Sequence, residues 1–219
     1  DALEANPSCA FAFSGWVQID ENGSVSGRSP VRFEEGVLTR ELLARAFARQ
    51  NPVVPPAILV RRSAYEAVGA AFDSTWHYCD WEMWARLAAR FPAYYLGDAD
   101  NDYRRHSQAN TFAAREDPER LVAMVDHLEE LLSGRGAGFR RGRLNRARSR
   151  SLVLLNAAGD VHMGGGWKIS RALYLRALRE YPPALFEHRS LSMLGHTILG
   201  RRASRAVSRL RGRLRRAES

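Results

Sequence analysis

The sequence predicts an α/β domain followed by an all-α extension. Three observations carry that prediction. Up to about residue 106, short apolar runs alternate with helical stretches and turn signals. Beyond residue 107 the strand signals stop and helical periodicity takes over. A chain of 219 residues with 45% hydrophobic and 10% aromatic side chains can also bury a real core.

Residues 1–5 read as the end of a helix that Asn6-Pro7 stops, because a residue before proline is pushed out of the α region. Cys9–Ile19, rich in aromatic and small residues, reads as a largely buried strand. Asp20-Glu-Asn-Gly23 then favours a tight turn and a hairpin into Ser24–Arg28. Thr39 can cap a helix over 40–49 whose Leu42, Leu43 and Phe47 share an apolar face. Pro52, Pro55 and Pro56 interrupt any helix, so Ala57–Val60 reads as a short buried strand. Ser63 opens a helix that Gly69 ends.

Asp80 precedes an amphipathic helix with Trp81, Trp84, Leu87 and Ala88 on one side and a Glu82–Arg86 pair on another. Pro92 stops it. Tyr94–Leu96 reads as a strand, and Asp102–His106 follows a further turn. Helices are expected near 117–132, 144–158 and 168–180, separated by a Gly/Arg-rich linker at 133–143 and the glycines 164–166. Ala172, Leu175, Ala177 and Leu178 have the spacing of a helical-repeat unit. From Ser190 the last segment reads as a basic amphipathic helix.

The net charge of +9 is concentrated at one end. Eight arginines at 201, 202, 205, 209, 211, 213, 215 and 216, offset by Glu218, supply +7, leaving +2 for all the rest. A nearly neutral body with a cationic appendage points to an anionic surface touched by the tail. Val207, Leu210 and Leu214 lie between the arginines, which suits lipid headgroups. No aromatic side chain is interleaved for base stacking, which disfavours nucleic acid, and a plain solvated tail is the third reading. Two cysteines, Cys9 and Cys79, exclude a disulfide scaffold and indicate a reducing compartment. No apolar stretch approaches a membrane span. The opening at Asp1, with neither methionine nor leader, suggests a piece of something longer.

Six segments occur in one order: Phe13-Ser-Gly-Trp16, Ile19-Asp-Glu-Asn-Gly23, Pro56-Ala-Ile-Leu-Val-Arg-Arg62, Val68-Gly69 with Phe72-Asp73, Cys79-Asp-Trp-Glu-Met-Trp-Ala-Arg-Leu87, and Tyr103-Arg-Arg-His106. This series resembles the second half of the family 2 glycosyltransferases, which have the GT-A fold, over about residues 1–112. The resemblance implies that residues 1–112 are the acceptor-side half of such a domain, while the residues beyond read by themselves as a helical extension over 113–189 and an amphipathic, Arg-rich tail over 190–219. It implies inverting transfer of a sugar from a nucleotide-sugar donor to a saccharide or lipid-linked acceptor, as in cell-envelope polysaccharide synthesis. The nucleotide-binding half with its Asp-x-Asp motif would lie upstream, so the isolated chain is expected to be inactive. Asp98-Ala-Asp100 has that spelling but follows the base and is not taken as the metal site.

The resemblance places the general base at Asp80, where Cys79 replaces the more usual Glu. On the residues alone, Asp80 also suits a helix N-cap, and a helix N-terminus would keep its carboxylate ionised. The departing diphosphate requires a divalent cation, Mn²⁺ or Mg²⁺, held mostly by the upstream half. His106 is the carried-over metal ligand and Arg104 the cationic contact. Asp73, Trp16 and Trp81 are the remaining substrate contacts, although an Asp in such a loop also forms turns and the tryptophans also suit a core. The protein would work in the cytoplasm, peripherally at the inner membrane face through 190–219. The rival reading is a non-catalytic interaction or membrane-surface module.

Overall fold

A computed structural model describes residues 2–29, 33–76, 78–104, 117–133, 146–163 and 166–186. In chain order the elements begin with α1 (Ala2–Ala5), β1 (Phe11–Ile19), β2 (Val25–Arg28), β3 (Gly36–Leu38), α2 (Arg40–Phe47) and β4 (Ile58–Val60). They continue with α3 (Arg62–Val68), α4 (Cys79–Arg90), β5 (Ala93–Arg104), α5 (Pro118–Ser133), α6 (Arg146–Met163) and α7 (Trp167–Glu180). The chain divides into two compact units, Asp1–Ser149 and Arg150–Ser219, so α5 falls in the first. The boundary expected at residue 112 lies outside the described residues.

The first unit is α/β, as the sequence predicts. Its five strands form a mixed sheet in the order β2-β1-β5-β3, with β4 also paired to β1. β1 runs parallel to β5 along its whole length, while β4 pairs with Phe11–Phe13 and β2 with Val17–Ile19, both antiparallel. The β1–β2 turn is closed by Asp20, whose Oδ1 accepts the amides of Asn22 and Ser24 at 2.8 Å each. Gly23 supplies the positive φ of 84° that the turn requires. Thr39 caps α2, its hydroxyl accepting from Leu42 N at 3.3 Å.

Three local expectations change. Tyr94–Leu96 and Asp102–Arg104 belong to one strand, because the β1 register steps from Ser14 opposite Leu96 to Gly15 opposite Asp100, so that three residues bulge out. The Gly97 amide at that bulge is held by Glu35 Oε2 at 3.2 Å. β4 is a rim strand with Leu59 67% exposed, not a buried one. In α2 the buried stripe is Leu43, Ala44 and Phe47, with Leu42 turned outward. β3, with three residues, is too short to leave a periodic signal in the sequence.

α4 buries Trp81, Met83, Trp84, Leu87 and Ala88 and packs against α2 and α5. From α5 come buried Leu121, Met124, Val125, Leu128 and Leu132. Burial of a side chain of this size stabilises by about 1.5–3 kcal/mol, so this three-helix seam fixes α4 firmly. In the second unit, Leu154 and Ala158 of α6 and Leu173, Tyr174 and Ala177 of α7 are buried. Ser170 Oγ donates to Ala158 O at 2.8 Å, tying the two helices. α6 outruns the expected 144–158 helix, extending to Met163. Among the described residues no helix is long and apolar enough to cross a membrane. The tail at 190–219 lies outside them.

Candidate active site

Asp80 is the second residue of α4, not its cap. Tyr78 occupies the N-cap position and makes no side-chain cap bond. The Asp80 carboxylate turns onto the helix start instead: Oδ1 accepts from Trp81 N at 2.7 Å, and Oδ2 from Asn51 Nδ2 at 3.4 Å. Asn51 is itself oriented, because its Oδ1 accepts from Val53 N at 3.2 Å, leaving the NH₂ group facing Asp80. Burial raises the Asp80 pKa above its ordinary value, and the amides of Trp81 and Asp80 only partly oppose this. Desolvation thus outweighs the helix-end effect that would favour the anion. A half-buried carboxylate with a raised pKa is a better proton acceptor than a solvated one.

Trp81 holds this arrangement in place. It is 5% exposed, and its indole Nε1 donates to Phe47 O, the C-terminal residue of α2, at 2.9 Å. Packed in this way, Trp81 positions the N-terminus of α4 against α2. Trp81→Phe leaves the Phe47 carbonyl unpaired in a buried place and is expected to lower stability by about 1–3 kcal/mol, read by denaturant unfolding.

The other expected contacts lie in two further groups. Trp16 on β1 packs edge to face with Tyr103 on β5, ring centroids 5.7 Å apart, and its buried Nε1 has no hydrogen-bond partner among the described residues. Next to Tyr103, Arg104 donates to the carbonyls of Asp20 and Glu21 at 3.0 Å each, so its guanidinium braces the β1–β2 turn. Asp73 is exposed and forms a turn, accepting from Thr75 N at 2.9 Å. The hydrogen bonds from Thr75 hold its pKa below the ordinary value. Among the described residues no hydrogen bond or ring contact joins Asp80 to Asp73, Trp16 or Arg104. His106 lies outside the described residues. No group of three His, Cys, Asp or Glu side chains gathers among them as a metal ion would need.

One further cluster is legible in the sequence only as a helix pair. Glu82 is 3% exposed and is bridged by Arg86 at 2.9 Å, with His127 of α5 at 3.4 Å on its other oxygen. Arg86 also donates to the carbonyls of Val68, Gly69 and Ala71 at 3.0, 2.9 and 2.7 Å. It therefore ties down the end of α3 and the loop that leads to Asp73. Trp76 stacks on His127, centroids 5.1 Å apart, and Trp84 is buried against Tyr65 and Phe72. Trp76 and Trp84 thus complete the support behind the start of α4. No family model matches this chain, and no curated protein and no solved structure matches it either.

Proposed function

We propose that this chain is the acceptor-side part of an inverting, nucleotide-sugar-dependent glycosyltransferase of the GT-A type, with Asp80 as general base. The observation that carries the reading is the Asp80 carboxylate itself: half-buried, oriented by Asn51 and the Trp81 amide, with a raised pKa. It sits at the point of the chain where the ordered segments of the resemblance require a base. In the proposed step Asp80 takes the proton of the acceptor hydroxyl while that oxygen bonds to the anomeric carbon. The bond to the nucleoside diphosphate breaks, and its electron pair leaves with the diphosphate.

A divalent cation, Mn²⁺ or Mg²⁺, would stabilise the charge of that leaving group. Among the described residues no donor set fits it, so only acceptor activation is assigned to this chain. The acceptor is a saccharide or a lipid-linked one. The working place is the cytoplasmic membrane surface, reached through 190–219. The test is nucleoside diphosphate release from a panel of nucleotide sugars with Mn²⁺ or Mg²⁺, by a protein carrying this chain behind a donor-binding half. Release with at least one donor is expected, and its absence with every donor and acceptor sinks the proposal. The rival interaction module rests on the charge asymmetry alone and predicts no release.

A further inference from the structure

Charge divides between the two compact units more sharply than the tail implies. Residues 1–149 hold 19 Lys and Arg against 20 Asp and Glu, whereas 150–219 hold 14 against four. Part of that excess lies on α7. The side turned away from α6 carries Lys168, Arg171 and Arg179, all exposed, with no carboxylate among them. Three large apolar side chains stand on the same helix without cover: Trp167 at 48% exposure, Ile169 at 49% and Leu175 at 42%. At 100° per residue, Leu175 projects between Arg171 and Lys168, with Arg179 just beyond Lys168, while Trp167 and Ile169 lie at the two edges of that side in the first turn. Water solvates such apolar side chains poorly, and a packed core has no use for three exposed cations beside them.

We infer that this face of α7 is an interfacial helix that lies on an anionic lipid surface. The apolar side chains would enter the boundary between headgroups and acyl chains, and the cations would meet phosphate groups beside them. Charge complementarity selects the occupant. An anionic bilayer offers both negative charge and an apolar layer a few ångströms beneath it, whereas a nucleic acid backbone offers only the charge. The surface is built from residues 167–179, apart from the segment 190–219, and does not depend on the sugar-transfer reading or on Asp80.

The test is cosedimentation of the full chain with vesicles of phosphatidylglycerol and phosphatidylcholine, against phosphatidylcholine alone. Binding to the anionic vesicles only is expected, weakened about tenfold or more in the variant K168E/R171E/R179E with its helical circular dichroism unchanged. Brominated acyl chains should quench the fluorescence of Trp167, and the quenching should disappear in Trp167→Phe, since the other four tryptophans lie in the first unit. Three outcomes overturn the inference. They are no vesicle binding, binding lost on deleting 201–219 but untouched by the α7 variant, and binding to a DNA duplex that requires the same three cations while vesicles are ignored.

Discussion

Arg86→Ala should lower the unfolding free energy of the first unit by about 3–5 kcal/mol. The reason is what it leaves behind. Glu82 is 3% exposed and loses its close cation, keeping only His127 at 3.4 Å. The carbonyls of Val68, Gly69 and Ala71 lose their donor at the same time. Gly69 has φ 82° and ends α3, so the loop to Asp73 has little regular hydrogen bonding of its own to fall back on. Arg86→Lys keeps the charge but cannot serve Glu82 and the loop at once, because an ammonium lacks the planar fork. Urea unfolding of the two variants should rank them with Lys between Ala and the parent. An alanine variant within about 1 kcal/mol of the parent would mean that Arg86 is an ordinary surface pair.

Asp80→Asn should separate activity from stability. A positioned general base is worth about 10²–10⁴ in rate, so turnover should fall by that factor. Stability should not fall with it. Burial places the folded pKa of Asp80 above its unfolded value, so the ionised form is disfavoured by the fold. That penalty is absent well below the unfolded carboxylate range near pH 4, grows as pH rises, and is complete above the folded pKa. A neutral asparagine side chain at this position would escape it while retaining an oxygen for the Trp81 amide. The variant should therefore melt above the parent at pH 7, and the gap should close as the pH is lowered towards 3. A parent that is the more stable of the two at pH 7 would contradict the burial argument.

Most of the elements were legible because their signals are local. Thr39 bonds three residues ahead, Asp20 two and four ahead, and Gly69 ends α3 on its own backbone. The α4 stripe of Trp81, Trp84, Leu87 and Ala88 follows from helical spacing and is buried as expected. What escaped is set by partners far along the chain. Phe47 O lies 34 residues from Trp81 and Asn51 lies 29 from Asp80. The Arg86 acceptors lie 15 to 18 residues back, in a loop whose path no periodicity describes. Leu59 shows a related limit. A short apolar run such as Ala57–Val60 reads the same whether it is central or at the rim, and only the pairing of β1 decides. Asp80 is named from the sequence as the proposed base, but its raised pKa is not legible there, because desolvation depends on α2 and α4 meeting.

The central claim is that Asp80 deprotonates the acceptor. Its most direct test is nucleoside diphosphate release by the protein with its donor-binding half, compared with its Asp80→Asn variant under the same nucleotide sugar, cation and acceptor. Both proteins are first to be checked as folded by thermal melting. Release by the parent and at least a hundredfold less by a variant that melts no earlier is the predicted result. Equal release by both, or none by the parent with any donor, would contradict it.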